Sequence, residues 1–310
     1  MAKLLELRQR IQAVENIQAV TRTLATVAAA KLARTRRRAA GLRVYAARIR
    51  EILRAQQALL AASDAPRTTG ALAELLRERT PVRNVAVLVL SGDRGMCGGY
   101  NLEISRLAVD FWQARAKSRQ GVRFVVKGRK AARHLARRGA AILHEEGWRR
   151  EGVGPGDVER LLALLLAPYR ARAVDEVWAA YTEFHSPVHR RPRVVRMFPV
   201  DLPPEPATAR VADAGGWHYE PSARAILDEL LAVYVRVQLY DVLLESYASE
   251  QGARMITMEE ATARADTSLQ EYRVQHNRLR REAITIDLLG ALFASRAAVD
   301  DSGVTPERSA

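Results

Sequence analysis

Cysteine and aromatic residues are scarce in this sequence, and long apolar runs are absent from it. The chain has one cysteine, Cys97, so it cannot form an intramolecular disulfide bond, and we expect a reducing compartment. Aromatic residues make up only 6%, which argues against binding single-stranded nucleic acid by base stacking. No run of about 18 apolar residues occurs, and the first residues lack the apolar core of a signal peptide. We therefore expect neither a membrane-spanning helix nor a signal peptide.

Proline is also missing from a long stretch near the carboxyl terminus, between Pro221 and about Ala298. Mostly apolar residues recur there at alternating steps of four and three from Ile226 to Ala297, which is the pattern of a coiled-coil seam. Two steps of four follow each other near Leu244, so the pattern contains one stutter. A continuous helix over this stretch would extend about 108 Å, far more than one globular domain buries. We expect a rod that packs against a partner.

A second seam runs without interruption from Leu4 to Leu60. Most of its positions are apolar, and its many alanines allow two helices to approach closely. Its few polar positions would fix the register of a coiled coil at some cost in stability. Those polar positions are Gln18, Thr21, Thr35 and Gln56. The alternative interpretation is a long helix on the surface of an ordinary core.

Positive charge is concentrated on this amino-terminal segment. The whole chain carries 49 Lys and Arg against 35 Asp and Glu, a net charge of +14. Residues 1–58 hold 13 of the basic residues and three acidic ones, so they account for +10 of the excess (13 − 3). Such a balance favours acidic partners: nucleic acid, anionic lipid or acidic protein surfaces. The alternative is a solvated helix face that only aids solubility.

The middle of the chain changes from helical to alternating strand and helix patterns. Asn84–Leu90 is a short β-branched apolar run, typical of a buried strand. Further strands are predicted at Arg123–Val126, Ala141–His144, Val174–Thr182 and Arg193–Pro199, and helices at Ala71–Arg79, Leu102–Arg115, Arg129–Arg138 and Val158–Arg172. Strands that alternate with helices predict a parallel sheet covered by helices. The last strand follows a short turn at His185–Pro192, so we expect it to be antiparallel to its neighbour.

These patterns predict an antiparallel two-helix coiled coil, formed by the terminal helices, with an inserted Rossmann-like α/β domain. The inserted domain must let the chain reverse, so the two helices most simply pair antiparallel. We expect the following division: residues 1–62, amino-terminal helix; 84–200, α/β domain; 201–221, linker; 222–298, carboxyl-terminal helix; 299–310, disordered tail.

The loop Ser91–Asn101 is the one local candidate for a ligand site, because it is glycine-rich and lies between a strand and a helix. It matches neither G-x-G-x-x-G nor the P-loop pattern, so a structural turn is the alternative to a phosphate site. Cys97 in this loop lies beside Arg94, which would favour a reactive thiolate, but no second cysteine or paired histidine is evident. The six histidines show no metal-ligand spacing and no Ser-His-Asp arrangement stands out. We expect no catalytic site, no metal and no cofactor.

Three groups of residues, in order along the chain, resemble the gamma subunit of F-type ATP synthases. They are residues 7–18 (LRQRIQAVENIQ) with 27–32 (VAAAKL), residues 93–101 (DRGMCGGYN), and residues 245–255 (ESYASEQGARM) with 277–285 (NRLRREAIT). The resemblance covers both ends and the middle of the chain. It implies a central rotor shaft without bond chemistry of its own, peripheral to the cytoplasmic face of the bacterial inner membrane.

The resemblance also implies partners and contact residues. The paired helices would turn inside a ring of three alpha and three beta subunits, and the lower part would contact the epsilon subunit and the membrane c ring, with no nucleic acid bound. Contacts to alpha and beta subunits are implied for Leu24, Lys31, Arg34, Arg36, Arg254, Arg280, Arg281, Thr285 and Asp287. Contacts to the c ring and epsilon subunit are implied for Arg43, Tyr45, Tyr219 and Glu220.

Two other functions compete with this interpretation. A basic coiled-coil adaptor for nucleic acid or anionic membrane would explain the charge, but not the inserted domain or the three motifs. A nucleotide-binding enzyme would use the Ser91–Asn101 loop.

Overall fold

The computed structural model describes residues 2–62, 73–201 and 223–301. Helix α1 extends over Ala2–Ala62 and helix α5 over Ala223–Asp301. The chain divides into two compact units, one made of residues 1–24 and 258–310 and the other of residues 25–257. Most of the predicted linker, residues 202–221, and most of the predicted tail, residues 302–310, lie outside the described residues.

Five strands form one sheet in the larger unit. They are β1 (Asn84–Leu90), β2 (Gly121–Lys127), β3 (Ile142–Glu146), β4 (Glu176–Phe184) and β5 (Arg190–Phe198). Their order across the sheet is β3-β2-β1-β4-β5. All neighbours are parallel except β5, which is antiparallel to β4. The predicted mixed sheet, including its antiparallel last strand, is therefore confirmed.

Three helices connect these strands: α2 (Tyr100–Lys117), α3 (Arg129–Ala136) and α4 (Pro155–Arg170). Strand β1 is buried on both faces, which explains its unbroken apolar sequence. Its odd-numbered valines pack with α2 and α3, whereas Ala86, Leu88 and Leu90 share a core with α4, α1 and α5. The sheet is thus a middle layer, and its second face is covered partly by the long helices.

The helix predicted at Ala71–Arg79 is wrong for its described part. Only a single 3₁₀ turn, Ala73–Leu75, is present there. Arg79 instead lies at the end of α4, where its Nη1 donates hydrogen bonds to the carbonyl oxygens of Tyr169 (2.8 Å) and Val174 (2.9 Å). These tertiary contacts outweigh the local preference for helix.

In the smaller unit, the start of α1 pairs with the later part of α5. Arg8 Nε lies 3.3 Å from His276 Nε2, Arg273 Nη2 lies 2.7 Å from Glu15 Oε1, and the hydroxyls of Thr21 and Thr262 are 2.8 Å apart. Rising numbers in α1 meet falling numbers in α5, so the predicted antiparallel pairing is confirmed in this unit. Two of the predicted polar seam residues form hydrogen bonds between the two helices. Gln18 bonds to Asp266, and Thr21 bonds to Thr262.

Candidate functional site

Helix α5 contains a stretch that is buried on every side, Val242–Ala253, here named the buried segment. A helix in a two-helix coil buries only one stripe of its surface. Twelve consecutive buried residues mean that this part of α5 is enclosed by more than α1. The predicted stutter near Leu244 lies inside the buried segment.

The buried segment fills the crevice where an α/β sheet of this kind usually binds a ligand. The connections of the sheet change direction between β1 and β4, and ligands bind outside the carboxyl ends of strands at such a point. Here the hydroxyl of Tyr100 lies 3.0 Å from the carbonyl oxygen of Ser246 and 2.8 Å from its hydroxyl. From β4, the carbonyl oxygen of Thr182 accepts a hydrogen bond from Ser249 Oγ at 2.9 Å. The protein's own helix therefore occupies the place of a ligand.

Glycines make this close approach to α5 feasible. A Cβ atom added to Gly92 would lie 2.8 Å from Glu250 Oε1, and one added to Gly252 would lie 3.2 Å from the Phe184 ring. Gly98 has a φ of +56°, which favours glycine, and an added Cβ would lie 3.2 Å from Thr257 Oγ1. The glycine-rich loop thus leaves room for side chains of α5, which supports the structural interpretation of this loop over a phosphate site.

A buried ion pair joins the segment to the helix turn that follows it. Arg254 Nη2 lies 2.6 Å from Glu250 Oε1, and the two side chains are only 12% and 6% exposed. Burial is the main cause that raises the pKa of Glu250, and Arg254 opposes that rise. Cys97 lies nearby with its pKa raised mainly by burial, and Asn101 Nδ2 donates to its Sγ at 3.0 Å. The thiol is therefore held in its neutral form, which disfavours the reactive role considered from the sequence.

A second buried charge fixes the loop between β3 and α4 against α5. Lys127 is fully buried, and its Nζ lies 2.6 Å from Glu146 Oε1 and 3.3 Å from Asp157 Oδ1. The loop that these acids flank carries Trp148, whose ring centroid is 5.4 Å from that of Tyr247. Lys127 therefore stabilises a wall of the crevice without touching α5 itself.

Helix α1 closes the crevice from the other side. Leu32 packs with Phe184 and Ala248, and Arg36 places its guanidinium 5.8 Å from the centre of the Phe184 ring. Arg43 Nη2 lies 2.7 Å from Glu245 Oε1. Contacts from α1, the start of α2, two loops and strand β4 thus converge on twelve residues of α5.

The residues implied by the resemblance fall into separate places. Lys31, Arg34 and Arg36 lie on the α1 surface beside the buried segment, with Lys31 half-buried and the arginines exposed. Arg254 is mostly buried in its pair with Glu250. Tyr219 and Glu220 lie outside the described residues.

The remaining implied residues are distributed over both units. Arg43 is half exposed although paired with Glu245, and Tyr45 on the same helix is 52% exposed. In the smaller unit, Leu24 is half-buried. Exposed residues on the last turns of α5 are Arg280, Arg281, Thr285 and Asp287.

Two features were not predicted from the sequence. One is the burial of Glu245, Ser246, Ser249 and Glu250, which are polar and lie off the predicted seam. The other is the breadth of the exposed apolar surface late in α5, where only Ile286 and Phe293 belong to the seam: Ile284, Ile286, Leu288, Leu289 and Phe293. The described residues contain no cluster of three metal-ligating side chains, and no described helix is long and apolar enough to cross a membrane.

The fold defines a protein whose α/β domain holds a long helix instead of a small ligand. The family model described as ATP synthase matches residues 3–292, and relatives align over almost their whole length. The ATP synthase gamma chain of Heliobacterium modesticaldum is 33% identical, over 91% of this chain and 94% of the relative. That of Sorangium cellulosum is 31% identical, over 96% and 99%. The chain belongs to the ATP synthase gamma chains, the central-stalk subunits of rotary F1Fo ATP synthases.

Solved structures show the same fold at low sequence identity. A chain in the OSCP/F1/c-ring structure of Euglena gracilis mitochondrial ATP synthase matches with a TM-score of 0.61 and 13% identity, over 100% of this chain and 99% of that one. A chain in the central stalk/c-ring structure from Tetrahymena thermophila matches with a TM-score of 0.54 and 18% identity, over 78% and 99%. The resemblance read from the three motifs is confirmed, and it accounts for the inserted domain that the adaptor hypothesis left unexplained.

Proposed function

We propose that this chain transmits torque between the membrane c ring and the ring of three alpha and three beta subunits, and that the buried segment is where the α/β domain grips helix α5. The observation that carries this proposal is the burial of α5 on all sides over Val242–Ala253. A twist applied to the α/β domain then turns α5 with it. Rotation of α5 inside the domain would require the whole set of contacts to break.

The size of that barrier follows from the residues involved. Slippage would expose Leu243, Leu244 and Tyr247, and a fully buried side chain of this size contributes about 1.5–3 kcal/mol. It would also break the hydrogen bonds of Tyr100 with Ser246 and of Ser249 with Thr182, and a buried polar group left without a partner costs about 1–3 kcal/mol. These contacts would have to break together. The connection between the α/β domain and α5 is therefore stiff, even though each contact contributes a modest free energy.

The far part of α5 supports contact with the alpha and beta subunits. Ile284, Ile286, Leu288, Leu289 and Phe293 are between 48% and 71% exposed. At about 100° per residue they span about 200° of the helix circumference, much wider than the stripe needed for one helix partner. Exposed apolar patches of this kind mark interaction sites. A ring that surrounds the helix would cover such a wide surface.

Charged residues extend this proposed interface. Arg280, Arg281, Thr285 and Asp287 are exposed beside the apolar side chains and remain proposed contacts to the ring. On α1 the same role is proposed for Leu24, Lys31, Arg34 and Arg36. Their cationic members would attract acidic surfaces over distances of about a Debye length, without tight pairing that would resist rotation. For Arg254, whose side chain is mostly buried, we propose that it supports the interface by neutralising Glu250 inside the crevice.

The larger unit is proposed to contact the c ring and epsilon subunit through Arg43, Tyr45, Tyr219 and Glu220. Exposure supports this for the described members of the set, because Tyr45 is 52% and the Arg43 side chain 55% exposed. The chain would then perform no bond chemistry itself. Its place would be peripheral, at the cytoplasmic face of the bacterial inner membrane.

Reconstitution tests this proposal. The purified chain is mixed with alpha and beta subunits, and ATPase-active assembly is measured for the wild type and for the double variant Arg280→Glu/Arg281→Glu. We expect wild-type assembly and weakened assembly or torque in the variant. The matched control is Arg137→Glu/Arg138→Glu, an exposed arginine pair in the α/β domain with the same charge change, which should assemble normally. Failure of the wild type to assemble would refute the function, and normal rotation of the Arg280/Arg281 variant would refute the assignment of those residues.

A further inference from the structure

The contact between α1 and the first part of α5 contains a group of partly buried charges, of which only Arg43 also belongs to a proposed interface. Asp241 and Glu245 lie one turn apart on α5, and Arg43 and Arg50 approach them from α1. The rest of this contact is apolar, with Ala46, Ile49 and Leu53 of α1 in the same core as Leu231, Val235 and Val242. Charges within an apolar contact are costly unless each is paired, so their pairing decides how tightly the helices pack.

Only one of the two acids has a good partner. Glu245 Oε1 lies 2.7 Å from Arg43 Nη2. Among the described residues, Asp241 Oδ1 is buried without a hydrogen-bond partner, and so is Nε of Arg50 on the facing helix. A buried acceptor left without a donor costs about 1–3 kcal/mol, and more when it is charged. Asp241 is therefore the strained member of the group.

We propose that Arg43, Arg50, Asp241 and Glu245 position α1 against α5, and that Asp241 is the member through which a proton tightens this packing. A neutral Asp241 would no longer repel Glu245, and it would not carry an unpaired charge into the core. The Arg43–Glu245 pair would remain intact in that state. Proton uptake would thus strengthen the hold of the α/β unit on α1 without moving any element.

The burial of Asp241 and Glu245 favours proton binding in the packed state. Burial is the main cause that raises the pKa of Asp241, and Arg43 and Arg50 oppose it. Burial also raises the pKa of Glu245, together with Asp241 and with Glu183 of β4, against the pull of Arg43. Because both acids bind a proton more readily in the packed state, packing gains stability as pH falls and loses it as pH rises through the raised pKa.

Other charged groups face this site from the sheet. Glu183 is itself held by Arg193 of β5 at 2.8 Å and lies 3.2 Å from Nε2 of His185. Tyr181 of β4 has its pKa raised mainly by burial and by Glu245, so it stays neutral over the relevant range. His185 lies in the same group of side chains, so a His185 variant is needed to separate its effect from that of Asp241.

Hydrogen exchange of the full chain, measured by mass spectrometry, tests the inference. Exchange of the α1 amides in residues 39–53 is compared at about pH 7 and about pH 4.5, just above the ordinary carboxyl pKa, after correction for the intrinsic rate and with β1 as the internal reference. The wild type should exchange about threefold or more slowly at the lower pH. Asp241→Asn should be slow at both values. Arg43→Gln, which leaves the buried carboxylate of Glu245 without its ion-pair partner, should exchange faster at both.

Two variants act as controls. His185→Gln should keep the wild-type pH dependence. Glu159→Gln removes an exposed ion pair with Arg236 in the same unit and should change nothing. A pH dependence that survives in Asp241→Asn, or one that disappears in His185→Gln, would overturn the inference. The test needs no partner subunit, so its failure would leave the proposed torque function untouched.

Discussion

The hydroxyl of Tyr100, at the start of α2, is hydrogen-bonded to both the carbonyl oxygen and the hydroxyl of Ser246 on α5, at 3.0 and 2.8 Å. Tyr100 is 2% exposed and Ser246 fully buried. Burial and the nearby Glu250 hold the pKa of Tyr100 well above its ordinary value, so this bond does not change with pH in the physiological range. The glycine-rich loop is therefore joined directly to the helix that fills the crevice.

Removing the Tyr100 hydroxyl should weaken this junction. In Tyr100→Phe the buried oxygens of Ser246 lose their partner, so we expect the free energy of unfolding to fall by about 1–3 kcal/mol. Denaturant unfolding followed by circular dichroism measures the change. Tyr45→Phe, which alters an exposed tyrosine of α1, is the control and should be within error of the wild type. Equal stability of all three proteins would show that the Tyr100 bond contributes nothing.

Gly252 should be intolerant of a side chain. In Gly252→Ala the new Cβ would lie 3.2 Å from the Phe184 ring and 3.3 Å from the Cα of Pro187, so the β4–β5 hairpin must shift. We expect a loss of about 1–3 kcal/mol, seen as a lower Tm. Gly41→Ala on α1 is the matched control, because nothing lies within 4 Å of its added Cβ. It should be stabilised by about 0.5–1 kcal/mol, as expected for a helix interior.

Among single substitutions in the α/β domain, Lys127→Met should cause one of the larger losses in the free energy of unfolding. It leaves Asp157 and Glu146 without their buried cation, and loss of one partner of a buried pair costs about 3–5 kcal/mol. Denaturant unfolding at neutral pH provides the measurement. The exposed pair Arg236–Glu159 supplies the comparison, since Glu159→Gln should cost less than about 1 kcal/mol. A small effect of both changes would mean that the Lys127 network does not hold the wall of the crevice.

Acid should weaken the same network. Burial would raise the pKa of Asp157, but the Gly154 N–H, Lys127 and Arg160 outweigh it, so the pKa is lowered. Asp157 therefore stabilises the fold above its unfolded pKa of about 3.9, and that contribution is lost as pH falls through the lowered value. Asp157→Asn should be less stable than the wild type at neutral pH and should lose less stability in acid. A parallel loss in both proteins would contradict this assignment.

The strands and the seam of each long helix could be predicted because each depends on a local pattern. Asn84–Leu90 is apolar at every position after the first, and only a strand buried on both faces suits such a run. The seam residues Thr21 and Thr262 follow the heptad spacing and do meet. By contrast, the 3₁₀ turn at Ala73–Leu75 depends on Arg79 reaching the end of α4, which no local pattern reveals.

The buried segment could not be predicted for a similar reason. Heptad spacing indicates one buried stripe, and Glu245, Ser249 and Glu250 lie off that stripe and are polar. Glu245 and Ser249 have partners distant in sequence, Arg43 and Thr182, whereas Glu250 pairs with Arg254 one turn along the same helix. The stutter near Leu244 was the available local signal, because it lies inside the buried segment.

The central claim is that the α/β domain turns α5 through the buried segment. Its most direct test is single-molecule rotation of the assembled alpha–beta–gamma complex driven by ATP, with the probe attached to the α/β domain through Arg119→Cys in a Cys97→Ser background. In the complex with the intact buried segment, the probe should report the full torque. With Gly252→Val added, ATP hydrolysis should continue while torque at the probe falls, because α5 slips in its crevice. Full torque in an assembled complex whose loosened packing has been verified by hydrogen exchange would contradict the account.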